Sequence, residues 1–117
     1  MIYGVGTDLC SISRLSEALE RTPNLGARIF HENEVSLPRT SLAARFAAKE
    51  ALAKAIGNPK LLVWAEIEIV KDDKGRPSIV LHGKTKTNLE ELGVSRIHLS
   101  LSHEQELASA LVVVEAN

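Results

Sequence analysis

The chain has 117 residues, with 14 Lys and Arg against 15 Asp and Glu, so its formal net charge is −1. That balance argues against a general nucleic-acid binder, which is usually basic overall. No apolar run approaches the ~20 residues of a transmembrane helix, and 44% hydrophobic with 25% charged residues is an ordinary globular composition.

The length predicts one compact domain over residues 1–117, with a radius of gyration of roughly 13–14 Å. Such a domain buries about 65% of its unfolded surface, so oligomerisation would usefully supplement its core. The start, MIYGVGTDLC, has neither a basic segment nor a long apolar one, which predicts a cytoplasmic protein without a signal peptide. Cys10 is the single cysteine, which excludes an internal disulfide or a thiolate metal cluster. It reads as a small buried hydrophobe.

Residues 2–9 predict a strand, with Tyr3, Val5, Thr7 and Leu9 on one face. Gly4 and Gly6 fall on the other, where another element can approach closely. Ser11 or Ser13 can cap a following helix whose buried stripe is Ile12, Leu15 and Leu19. Pro23 ends it. Residues 27–37 read as short helical turns. The segment SLAARFAAKEALAKAIG predicts the strongest helix, opened by Thr40 or Ser41 and stopped by Gly57 and Pro59.

Residues 62–71 alternate as a strand, with Ala65, Ile67 and Ile69 on one face. Asp72 to Pro77 forms a turn, and residues 78–82 return as the hairpin partner. A short polar helix over 84–92 ends at Gly93. Two strands follow, 96–102 and 107–115. The predicted order, β-α-(α)-α-β-β-α-β-β, argues an α+β domain with a mostly antiparallel sheet and helices packed on one side.

Few residues point to chemistry on their own. Asp8 ends a strand just before a helix, where a carboxylate caps the helix or binds a cation. Glu50 precedes Lys54 by four, the spacing of a surface ion pair. Arg45 and Lys49 share that helix, which reads as a solvated face. His103 closes the strand SLSH, where structural histidines are common. No HExxH, phosphate-loop, EF-hand or Gly-x-Ser-x-Gly motif is present. The residues alone therefore reach an α+β domain with a candidate two-carboxylate cation site.

The motifs taken together go further. Gly6-Thr7-Asp8, then Phe46-Ala47-Ala48-Lys49-Glu50-Ala51, then HLSLSHEQELASALVVVE occur in that order. This pattern resembles bacterial holo-acyl-carrier-protein synthase, the small 4'-phosphopantetheinyl transferase. The resemblance spans nearly the whole chain, including the turn Asp72-Asp73-Lys74-Gly75-Arg76-Pro77. The segment from Gly57 to Trp64 departs from it, being shorter and lacking the Gly-Thr-Gly that commonly follows the helix.

The resemblance implies the 4'-phosphopantetheinyl transferase fold and transfer of phosphopantetheine from coenzyme A to a serine of acyl carrier protein or a carrier domain. Adenosine 3',5'-bisphosphate would be released and Mg²⁺ would be required. It matches Asp8 and Glu50 to the metal ligands and Lys54 to the pyrophosphate, with Glu50 and Lys54 as the catalytic pair. Arg45 and His103 match contacts to the phosphates of the adenosine end. Gly75 and Pro77 would shape the turn beside the adenine. The general base stays open between a metal-ordered water and Glu50 acting through one. Because acyl carrier proteins are acidic, exposed Arg14, Arg21 and Arg28 are the expected docking residues. The family's homotrimer implies coenzyme sites between subunits, with the apolar strand Leu111 to Val114 either at that interface or in the core. The competing reading is a non-enzymatic binding or assembly module, in which Asp8 is a cap and Glu50 an ion pair.

Overall fold

The computed structural model describes residues 1–117. Its elements are β1 (Ile2–Ser11), α1 (Ile12–Arg21), α2 (Leu25–Ile29), α3 (Arg39–Ile56), β2 (Ile67–Lys71), β3 (Pro77–Leu81), α4 (Gly83–Glu91), β4 (Val94–Glu104) and β5 (Leu107–Ala116). The radius of gyration, 13.5 Å, falls in the range expected from length.

All strand pairs are antiparallel, but they divide into two sheets. One holds β1, β5 and β4 with β5 in the centre, and the other is the β2–β3 hairpin. The apolar C-terminal strand is thus central in its sheet. Its period of two is visible in burial: Ala108, Ala110, Val112 and Val114 point into the core, whereas Leu107 and Leu111 are exposed on the other face.

Helix α3 lies across the inner face of the larger sheet, packed chiefly on β1 and β5. Its buried surface is built mainly from alanines, among them Ala47, Ala48, Ala51 and Ala55. Small side chains let the helix come close, and Gly4 and Gly6 complete the approach. A Cβ at Gly4 would overlap the carbonyl oxygen of Ala55, and one at Gly6 that of Ala51. The face predicted for close approach is therefore where α3 sits.

Local signals set the helix ends. Ser11 caps α1, its Oγ accepting the Arg14 N–H at 3.3 Å. Gly57 closes α3 at φ +81°, a left-handed conformation that favours glycine. Helix α3 opens at Arg39 after Pro38, with no side-chain cap, rather than on Thr40 or Ser41. Proline supplies a preset φ of −58° there, so no hydroxyl cap is needed to start the helix.

The largest departure from expectation is residues 62–71. Short 3₁₀ turns at Pro59–Leu61 and Trp64–Glu66 occupy the first part, and the strand begins only at Ile67. The Val63 N–H donates to Thr85 Oγ1 at 2.8 Å, so this segment bonds to α4 instead of a strand. Cys10 is buried at 8% exposure, as a small hydrophobe.

Candidate active site

The site begins with the crossing of β1 and α3. On β1 the inner-facing positions run Gly4, Gly6, Asp8, Cys10, so the strand that admits the helix at Gly6 delivers a carboxylate one inward position later. On α3, Glu50 directly precedes Ala51, the residue against Gly6. Asp8 and Glu50 therefore converge from two elements locked together by backbone contact.

Their electrostatics agree. Burial, followed by the negative charge of Asp8, pushes the Glu50 carboxyl above the usual carboxylate range, while Lys54 pulls it down. Burial, then the charges of Asp8 and Glu50, likewise push the Cys10 thiol up. The two acids repel one another in a partly desolvated place.

Lys54 lies one turn beyond Glu50 and pairs with Asp8, not with Glu50. Its Nζ donates to Asp8 Oδ1 at 3.0 Å and to the Thr7 carbonyl at 2.9 Å. Its side chain remains 59% exposed, leaving the ammonium open to an anion. The surface pair suggested by the spacing of Glu50 and Lys54 does not form. Asp8 does not cap α1 either, since Ser11 does.

Two neighbouring carboxylates, only one of them paired with a cation, suit a hard divalent ion, which takes one or two carboxylates plus substrate phosphate and water. A groove of about 640 Å³ runs from Asp8 and Lys54 onto the outer face of the sheet, where Ser100, Ser102 and Ser109 lie in register with Thr7, Leu9 and Leu111, on the side away from α3. The alternation in RIHLSLS sets Ser100 and Ser102 on one face.

The remaining expected residues lie elsewhere. Arg45 and Lys49 correct the reading of α3 as a solvated face, with 7% and 0% exposure. Lys49 Nζ donates to Glu34 Oε1 at 2.6 Å, to the Ile29 carbonyl at 2.8 Å and to the Trp64 carbonyl at 3.1 Å. These use all three donors of an ammonium. Arg45 Nε sits 3.7 Å from Glu34 Oε2. Within the chain Arg45 Nε faces this buried carboxylate without a hydrogen bond. Glu34 was missed because it lies in a loop whose partners are distant in sequence.

His103 is exposed near the end of β4, opposite Ala108, which in turn faces Cys10. Two strand spacings, about 10 Å, separate it from β1. Gly75 takes φ +84° in the hairpin turn, and Pro77 opens β3 opposite Lys71. Neither is brought to Asp8 within one chain. Arg14, Arg21 and Arg28 are all exposed. Arg14 and Arg21 border a hollow of about 480 Å³ floored by Leu15, Ala18 and Phe46.

Comparison with known proteins agrees with this geometry. Residues 4–112 match the 4'-phosphopantetheinyl transferase superfamily. The chain is 48% identical over 117 residues to the holo-[acyl-carrier-protein] synthase of Clavibacter michiganensis, covering 100% of this chain and 98% of the relative. It is 50% identical to that of Micrococcus luteus, covering 98% and 93%. The crystal structure of the Neisseria meningitidis holo-[acyl-carrier-protein] synthase superposes with a TM-score of 0.91 at 36% identity, covering 98% of this chain and 99% of that one. The Helicobacter pylori enzyme in complex with coenzyme A superposes with a TM-score of 0.83 at 32% identity, covering 95% and 99%. The resemblance read from the paired motifs and the α+β fold it implied are both borne out: the chain belongs to the 4'-phosphopantetheinyl transferase superfamily.

Proposed function

We propose that this chain is a holo-[acyl-carrier-protein] synthase. It transfers 4'-phosphopantetheine from coenzyme A to a serine of an apo-acyl carrier protein or carrier domain and releases adenosine 3',5'-bisphosphate. Full-length relatives bear that name, and the Helicobacter pylori structure holds coenzyme A. The observation that carries the proposal is the convergence of Asp8, Glu50 and Lys54 at the β1–α3 crossing. The non-enzymatic alternative is not favoured, because Asp8 is not the α1 cap and Glu50 has no ion-pair partner.

Asp8 and Glu50 would hold Mg²⁺, which when bound neutralises charge on the pyrophosphate. Lys54, one turn from Glu50 and mostly exposed, supplies a fixed positive charge to the phosphoryl oxygens. The carrier serine oxygen attacks the β-phosphorus, and the bond to the bridging oxygen breaks. The leaving group is the bisphosphate. The serine proton passes to a water at the site, either one ordered by the metal or one through which Glu50 accepts it.

The rest of the assembly follows from exposed surfaces. The outer face of the larger sheet carries Tyr3, Val5, Leu9, Leu107 and Leu111, between 42% and 66% exposed. A patch of this kind marks an association surface, and a homotrimer would cover it. Copies meeting there would let His103, and the turn with Gly75 and Pro77, reach coenzyme A bound at a neighbour's Asp8. Arg14, Arg21 and Arg28 offer positive charge to an acidic carrier. Residues 1–117 act as one transferase domain in the cytoplasm, and no helix is long and apolar enough to cross a membrane.

The direct test incubates the protein with coenzyme A, Mg²⁺ and an apo-acyl carrier protein, then weighs the carrier by mass spectrometry. A gain of one phosphopantetheine on the serine is expected. An unchanged mass across several apo-carriers would overturn the assignment.

A further inference from the structure

A second cluster of ligating side chains lies apart from Asp8 and Glu50. His31 follows α2, Glu68 lies on β2, and His82 follows β3. Their ligand atoms all fall within 4.8 Å of one another. His82 Nε2 is 2.8 Å from Glu68 Oε1, and His31 Nδ1 is 3.9 Å from the same oxygen. The imidazole rings stack with centroids 4.6 Å apart.

Glu68 is 9% exposed. No Lys or Arg lies within ion-pair distance of it, because nearby Lys49 and Arg45 are taken by Glu34. The side chains nearest Glu68 Oε1 are the two imidazoles. Outer contacts already orient the group. Asn33 Nδ2 donates to Glu68 Oε2 at 3.1 Å, and the Asn33 N–H donates to His31 Nδ1 at 3.1 Å. The Asn33 side-chain bond to the second carboxylate oxygen is the kind of contact that holds a metal ligand in place, whereas the Asn33 N–H occupies a ligand atom, His31 Nδ1, and must leave it for an ion to bind.

We propose that His31, Glu68 and His82 form a binding site for a zinc-type transition-metal ion, separate from the Mg²⁺ pair. Two imidazoles and one carboxylate are a recurrent zinc donor set. Imidazole nitrogen favours such ions over Mg²⁺, which takes oxygen ligands. Ligands of a tetrahedral ion at ~2.0–2.1 Å stand about 3.3 Å apart, and the observed 2.8 and 3.9 Å bracket that separation. The stacked rings are close to parallel, at 23°, so their lone pairs converge only after a ring turns. His82, with its side chain 40% exposed, has room to turn. His31 gives up the Asn33 N–H as it binds, and water completes the coordination. The ion would tie the loop after α2 to the β2–β3 hairpin.

The test adds Zn²⁺ to the purified, metal-free chain and follows heat of binding and melting temperature, with Co²⁺ absorption reporting the ligand field. One ion per chain, a melting temperature that rises with Zn²⁺ but not equally with Mg²⁺, and Co²⁺ bands of low coordination number are expected. Glu50→Gln should retain this binding, which separates it from the transferase site. His31→Gln and His82→Gln should each weaken it by about tenfold or more. The His82 variant changes a partly exposed side chain and so tests the site without disturbing the core. No saturable Zn²⁺ binding, or binding by both histidine variants as tight as the parent's, would overturn the proposal.

Discussion

Gly6 of β1 lies directly against the backbone carbonyl of Ala51 in α3, with no room for a Cβ between them. This contact sets the spacing of the proposed active site. Asp8 stands one inward position beyond Gly6, and Glu50 one residue before Ala51. Gly6→Ala should push strand and helix apart and cost about 1–3 kcal/mol or more, as overpacking does. A lower melting temperature together with lost transfer is the expected outcome. Full stability and activity would show that the approach tolerates a methyl group.

The paired motifs thus have a physical meaning that their spacing did not disclose. Gly-x-Asp and Lys-Glu-Ala are the two sides of one backbone contact. The strand alternation and the Gly57 stop were legible because they are local. Arg45 and Lys49 were misread as solvated because their partner, Glu34, sits in a loop that no periodicity marks. Likewise, residues 62–66 look like a strand by composition, yet the bond from Val63 to Thr85 draws them to α4. The zinc-type cluster was invisible for the same reason, as its three residues lie in separate elements.

Lys49 should be a structural linchpin, unlike its neighbour Glu50. Its ammonium is fully buried and answers Glu34, which also accepts the Ile69 N–H at 2.9 Å. Lys49→Met leaves the buried Glu34 carboxylate without its closest cation, a loss of about 3–5 kcal/mol by the behaviour of broken buried pairs. Chemical denaturation should report this as a lower midpoint. A variant as stable as the parent would mean that the pair adds nothing to the fold.

Glu66 predicts a pH dependence of stability. Its carboxylate accepts the Thr85 N–H at 2.9 Å and the Thr85 hydroxyl at 2.8 Å, capping α4 from outside the helix. The backbone N–H of Thr85 is the main reason that its carboxyl sits below the usual range. A lowered acid stabilises the fold fully above the ordinary carboxylate value. The stabilisation is lost as pH falls through the lowered one. Glu66→Gln should cost about 1 kcal/mol near neutrality and less in acid. Parallel stability curves for the two proteins down to low pH would contradict this assignment.

Charge reversal on α1 tests the docking surface. Replacing Arg14 and Arg21 with Glu should raise the KM for an acidic carrier and leave coenzyme A binding unchanged, because both side chains are exposed and outside the Asp8 groove. The effect should shrink with added salt. Equal carrier kinetics for parent and double variant would move the docking surface elsewhere.

Asp8 and Glu50 together should form the metal site of a transferase. The most direct measurement is carrier modification, followed by mass, as Mg²⁺ is titrated against the parent chain, Asp8→Asn and Glu50→Gln. Glu50→Gln should fold as well as the parent or better, since it removes an acid strained by burial and by Asp8. Mg²⁺-dependent phosphopantetheine transfer by the parent and near-complete loss in both folded variants are expected. Transfer by folded Glu50→Gln at the parent rate and the same Mg²⁺ requirement would contradict this metal site.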